Sequence, residues 1–141
     1  MTRTPLQELR ERAGLLILRG FRGFCLAEDA AVITDLQQRQ LGSVILFDID
    51  GPTGSRERNI QSPQQVRSLT DSLRSATGDL PPLIAVDQEG GLVARLKERH
   101  GFPATQSAGQ LGACGDPDIT EAAAGQLADA LVAAGINLNL A

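Results

Sequence analysis

An acidic residue that ends an apolar run, followed by glycines and then an arginine, is a kit for holding a hydroxyl-bearing ligand. The chain carries that pattern at Leu83-Ile84-Ala85-Val86-Asp87-Gln88-Glu89-Gly90-Gly91-Leu92-Val93-Ala94-Arg95-Leu96. The apolar run predicts a buried strand, and Asp87 is its first polar residue. It therefore stands at the carboxyl edge of a sheet, the edge where α/β proteins bind their ligands. Its two oxygens can accept from two neighbouring hydroxyls at once. Gly90 and Gly91 let the backbone take positive φ and leave the strand sharply. Asp87, Glu89 and Arg95 are the candidate binding residues. Two readings stand side by side: ligand contact, or Asp87 and Glu89 capping the next turn or pairing with Arg95.

Other reactive side chains are sparse. His100, in Lys97-Glu98-Arg99-His100-Gly101, is the only histidine, so structural zinc is not expected and no cofactor is implied. It reads as a solvated or hydrogen-bonded loop residue rather than a general acid. Cys25 and Cys114 lie far apart with no C-x-x-C spacing, and they are expected to be small buried hydrophobes. A net charge of −4, with scattered Arg and Lys, argues against nucleic acid. No apolar run reaches the ~18–20 residues that span a bilayer, so no membrane is expected. The start Met1-Thr2-Arg3-Thr4-Pro5-Leu6-Gln7-Glu8 turns acidic early, which predicts a cytoplasmic protein. With no Trp or Tyr and 4 Phe, the chain lacks the aromatic faces of a surface sugar-binding module.

The elements that must position these residues alternate. Thr4-Pro5-Leu6-Gln7 is a capping box for a helix to about Ala13. The run Gly14 to Phe21 predicts a buried first strand, and Ser43 to Asp48 a second. Between them, Val32, Ile33 and Leu36 give helical spacing over Glu28–Gln40. Ser62-Pro63-Gln64-Gln65 caps a helix that carries Val66, Leu69 and Leu73 and stops at Gly78. Pro82 to Asp87 is the third strand. Asp118-Ile119-Thr120-Glu121 caps a helix closed by Gly135, and Ile136 to Ala141 is the fourth strand. Asn137 and Asn139 alternate with apolar residues there and are expected to face a barrel interior or the rim. Alternating strands and helices imply parallel pairing through right-handed crossovers, in an open sheet or a barrel.

V-D-Q-E-G-G at Val86–Gly91, with Arg95 following, resembles the segment after the third strand of family 3 glycoside hydrolases, the β-N-acetylhexosaminidase branch in particular. Gly20-Phe21-Arg22-Gly23, Leu41-Gly42-Ser43-Val44-Ile45-Leu46-Phe47, Arg58 to Val66 and Gly135-Ile136-Asn137-Leu138-Asn139-Leu140-Ala141 resemble other family segments in the family's order. The family usually reads E-G-G-R-V, and here Leu92 replaces that Arg. The resemblance implies a (β/α)8 TIM-barrel type α/β fold, of which residues 1–141 would be the first half, about four β/α units, cut after strand four. It implies retaining hydrolysis of terminal β-linked N-acetylglucosamine or related glycosides. Asp87, with Arg95 and Glu89, would grip the carbohydrate substrate. The catalytic residues, an Asp nucleophile and a His/Asp acid–base pair on a K-H-F-P-G-H-G loop, are expected beyond Ala141. The fragment is expected to be inactive alone and to associate with itself or with the missing C-terminal half of the barrel.

One rival motif is present. Phe47-Asp48-Ile49-Asp50-Gly51-Pro52-Thr53 resembles the D-x-D-G-T signature of haloacid-dehalogenase-type, Mg-dependent phosphatases, in which the first Asp attacks phosphorus and the second is acid–base. Pro52 interrupts the Gly-Thr pair, and no downstream Lys with paired Asp follows. Asp48 and Asp50 are read instead as rim or loop residues. A non-catalytic interaction fragment is the remaining alternative.

Overall fold

The computed structural model describes residues 4–78 and 80–141. The first three residues of the acidic start, and the Gln7 side chain of the first capping box, lie outside what is described. Along the chain run α1 (Pro5–Arg12), β1 (Leu18–Gly20), α2 (Ala30–Gln38), β2 (Ser43–Leu46), α3 (Pro63–Ala76), β3 (Leu83–Val86), α4 (Ala108–Cys114), α5 (Pro117–Ala133) and β4 (Leu138–Asn139). The strands form one parallel sheet in the order β1-β2-β3-β4. A doubly wound sheet reverses its strand order at a switch point, whereas a β/α barrel adds each strand beside the last. The order is that of a barrel. No helix among the described residues is long and apolar enough to cross a membrane.

Register separates the two faces. Arg19, Val44 and Ile84 share one row, and Leu46, Val86 and Asn139 another. Val44, Leu46, Ile84 and Val86 are buried in one core with Val32 and Leu36 of α2 and Val66, Leu69 and Leu73 of α3. The alternate rows, Leu18–Ser43–Leu83 and Gly20–Ile45–Ala85–Leu138, face the other way. There Leu18 is 42% and Leu83 47% exposed. Parallel sheets bury both faces as a rule. This one covers its outer face and leaves Leu18 and Leu83 of its inner face exposed, while Ser43 and Ala85 on that face are buried.

Three local outcomes differ from the sequence-based expectation. The predicted first strand shrinks to Leu18–Gly20, because Ala13–Leu16 forms a 3-10 turn instead. Gly14 and Gly42 mark a chain crossing. A Cβ on Gly14 would strike the Arg39 carbonyl and one on Gly42 the Leu15 carbonyl, and Gly42 N donates to Gly14 O at 3.0 Å. An apolar run cannot reveal such a crossing, and β1 is only partly buried. The last long helix starts two residues early, since Asp116 caps it, accepting from Asp118 N and Ile119 N, with Pro117 in its first turn. Helix α4 has no counterpart among the expected elements. Its signal, Ser107 with Gln110 in a complete capping box, sits among Gly109 and Gly112, which lower helix propensity. The helix after Ser62 is as expected, with the Ser62 hydroxyl accepting from Gln65 N at 3.2 Å.

Both cysteines are free and exposed, against the expectation of buried packing. The Cys25 thiol donates to Glu28 Oε1 at 3.1 Å, and that carboxylate pushes the thiol pKa up. Asn137 and Asn139 neither fill an interior layer nor project as free rim groups. Their side chains extend the short β3–β4 ladder: Asn137 Oδ1 accepts from Ile84 N at 2.6 Å, and Asn139 Oδ1 from Gln88 N at 3.0 Å.

Candidate functional site at the carboxyl edge of the sheet

Asp87 directly follows β3 and continues the inner row of Leu83 and Ala85. Its Oδ2 accepts from Arg95 Nη2 at 3.0 Å, and both side chains are about a quarter exposed. Of the predicted trio, two therefore meet, in the pairing with Arg95 that the second of the two readings expected. Glu89 does not join them. It is exposed and lines a cleft of about 370 Å³ with Gln106, Leu127 and other residues of the α4–α5 region. The turn that separates the two sides runs through Gly90 and Gly91, at φ 88° and 59°. A Cβ at Gly90 would also collide with the Gln106 carbonyl. Gly90→Ala is expected to cost ~2 kcal/mol or more, read as a lower urea midpoint at unchanged slope.

Arg95 sits on a strap that returns across the sheet edge. Gln88 fixes the strap's backbone, its Oε1 accepting from Arg95 N at 2.9 Å and Leu96 N at 3.0 Å, while Leu96 is buried in the core. Beneath it lies Asp48, just past β2 and 0% exposed. Asp48 Oδ2 accepts from Lys97 Nζ at 2.7 Å and Arg99 Nη2 at 2.6 Å. Its Oδ1 lies 3.8 Å from Arg95 Nη1 without a hydrogen bond. Asp50 is likewise engaged, accepting from Arg22 Nε at 3.0 Å and the Thr53 hydroxyl at 2.7 Å, with Arg58 Nη1 at 3.3 Å. Phe47 lies between guanidinium groups, with Arg58 4.7 Å and Arg95 5.7 Å from its ring centre.

These contacts decide the rival motif. A nucleophilic carboxylate must reach its substrate, and Asp48 is closed off under three cations of the strap. Asp50 is committed to two arginines and a hydroxyl. Asp48 and Asp50 are thus ion-paired residues at the sheet edge, more buried than a rim reading supposes. His100 accepts from Arg99 Nε at 3.0 Å, a hydrogen-bonded loop residue as expected, and partial burial with Arg99 beside it lowers its pKa.

The Thr53 hydroxyl, then Arg22, hold the Asp50 carboxyl below the usual range. A depressed folded-state pKa stabilises above the ordinary value of ~3.9 and is lost as pH falls through the folded pKa. Asp50→Asn should therefore lose less stability than wild type between about pH 5 and 2, measured by denaturant titration at several pH values.

The site is thus a carboxylate with one oxygen on Arg95 and the other making no hydrogen bond among the described residues, beside a guanidinium on a pinned strap. Such a pair can accept from one hydroxyl and donate to a neighbour. The model of the glycosyl hydrolase family 3 N-terminal domain matches residues 8–141. The chain belongs to glycoside hydrolase family 3. It is 35% identical over 131 residues to a β-hexosaminidase of Alkalilimnicola ehrlichii, covering 89% of the chain and 34% of that protein. It is 42% identical over 76 residues to one of Pseudomonas aeruginosa, covering 54% and 18%. Among solved structures, a glycoside hydrolase family 3 β-N-acetylglucosaminidase from Paenibacillus superposes with a TM-score of 0.82 at 31% identity, over 94% of this chain and 23% of that one. A β-N-acetylhexosaminidase from Beutenbergia cavernae gives 0.75 at 28% identity, over 94% and 37%. The chain spans about a third or less of the length of these relatives, and its sheet is the four-stranded portion of their α/β barrel domain.

Proposed function

We propose that this chain supplies the first four strands of the barrel of a retaining β-N-acetylhexosaminidase-type glycosidase, with Asp87 and Arg95 gripping the terminal sugar. The observation that carries this reading is Asp87 itself. It is a half-buried carboxylate at the open edge of a barrel-ordered sheet, held by Arg95 and with one oxygen to offer. The names of the relatives supply the substrate class, a β-linked N-acetylhexosamine. The nucleophile and the acid–base pair come from the part of the relatives that this chain does not span, as the family resemblance implies, so Asp87 binds and does not attack.

The exposed part of the inner face supports a further part of the reading, that the chain alone associates and is inactive. Leu18 and Leu83 lie on it, and β1 and β4 each pair on one side only within the described sheet. Exposed apolar surface of this kind drives association. The chain alone is expected to self-associate and to leave a nitrophenyl N-acetylglucosaminide uncleaved. Light scattering and a hydrolysis assay on the purified chain test both points. A monomer with a sharp cooperative melt, or turnover by the chain alone, contradicts the reading. Hydrolysis of a generic phosphate ester with Mg²⁺, abolished by Asp48→Asn, would favour the phosphatase instead.

A further inference from the structure

We infer that Asp48 is a positioning residue for the sugar site, acting through Arg95. The inference rests on the sugar-binding reading above and deepens it. Asp48 touches no open surface, being 0% exposed, yet three cations of one strap converge on it from about 50 positions downstream. Burying a carboxylate is costly unless it is paired and hydrogen-bonded. Lys97 and Arg99 already satisfy that need on Oδ2. Arg95 is the third cation, placed between Asp87 at 3.0 Å and Asp48 at 3.8 Å.

The division of labour along the strap is specific. Gln88 holds its backbone at Arg95 and Leu96, whereas Asp48 collects its side chains. Between Gly91 and the turn at Glu98–His100 the strap has no helix or ladder strand, only the Gly90–Val93 bridge at its start and Leu96 buried in the core, so these side-chain anchors share in setting its position. Asp48 Oδ1 and Arg95 Nε are both buried and have no hydrogen-bond partner among the described residues. The Arg95–Asp48 contact is therefore electrostatic and slack. When a ligand hydroxyl donates to Asp87 and draws on its charge, Asp48 is the second anion that keeps the guanidinium from swinging to solvent. Asp48 thus tunes sugar binding without touching sugar.

A double-mutant cycle in the chain joined to the C-terminal part of a family 3 barrel tests this. Asp48→Asn is expected to raise KM for the nitrophenyl glycoside about tenfold, with kcat within about twofold, and to add nothing in an Arg95→Ala background. Lys97→Met loosens the strap while Arg99 still pairs Asp48, so it should raise KM about threefold and vanish in the same background. It keeps the test open if Asp48→Asn does not fold. Additive effects, or a fall in kcat with KM unchanged, overturn the inference. A second arm uses the chain by itself. The Arg95 and Leu96 amides should exchange their hydrogens about tenfold faster in Asp48→Asn, and at the wild-type rate in Asp71→Asn, which removes an exposed helical ion pair. Unchanged exchange in Asp48→Asn also overturns it. An inactive joined wild-type protein would sink the sugar reading instead, and the exchange arm would still decide whether Asp48 fixes the strap.

Discussion

Joined to the C-terminal part of a family 3 barrel, the chain is expected to cleave a nitrophenyl N-acetylglucosaminide at least ~10³-fold faster than it does alone. The size follows from what each part contributes. Removing the covalent nucleophile and the acid–base pair takes away most of an enzymatic acceleration that starts at about 10⁶-fold, and binding residues without them leave only a small remnant. On the proposed reading, Arg95, Asp87 and the pinned strap orient a sugar and do not break its bond. The joined protein should also run as a monomer, because the added strands cover Leu18 and Leu83 and pair the free sides of β1 and β4. Turnover and light scattering check the two expectations on one sample. No gain in turnover with a folded joined protein would count against the glycosidase proposal.

The second large effect belongs to Asp87. In the joined protein, Asp87→Ala is expected to lower kcat/KM by about 10- to 150-fold, the worth of a charged hydrogen bond of ~1.5–3 kcal/mol. Truncation removes the acceptor for the sugar hydroxyl and also strips Arg95 of its 3.0 Å partner. Arg95 would then turn toward Asp48, whose Oδ1 stands 3.8 Å away, so the loss includes a displaced guanidinium as well as a missing acceptor. Asp87→Asn should fall between wild type and Ala, since the amide keeps one acceptor but no charge. Steady-state kinetics on the three proteins gives the order, and near-normal kinetics for Asp87→Ala removes Asp87 from the pocket.

Much of this fold is legible from local pattern. β2 and β3 are short apolar runs between capped helices, and Ser62 with Gln65 starts α3 where the capping rule puts it. The local departures have tertiary causes. The segment 14–16 is as apolar as a strand, but it turns because its backbone crosses the chain at residues 39–42. Gly14 packs on the Arg39 carbonyl there, and Gly42 on the Leu15 carbonyl. Cys25 and Cys114 are exposed because small apolar character says nothing about which face of a loop or helix carries a residue.

The candidate site divides the same way. Asp87 and Arg95 are close in sequence, and a strand followed by a tight glycine turn brings them together, so their pairing is legible in advance. Glu89 is equally close, yet Gly90 and Gly91 turn the chain so that it lines the α4–α5 cleft instead. The grip of Asp48 on Lys97 and Arg99 links residues about 50 positions apart, across β2 and β3, and only the parallel register makes them neighbours. In sequence the same Asp48 resembles half of a phosphatase motif. Its burial under the strap makes it a structural anion, which no spacing rule could supply.

Whether a sugar meets Asp87 is measured directly by a crystal structure of the joined protein with N-acetylglucosamine bound. The prediction is a sugar hydroxyl within about 2.5–3.2 Å of an Asp87 oxygen, with Arg95 still held between Asp87 and Asp48. A sugar seated elsewhere, with Asp87 bonded to Arg95 alone, would contradict it.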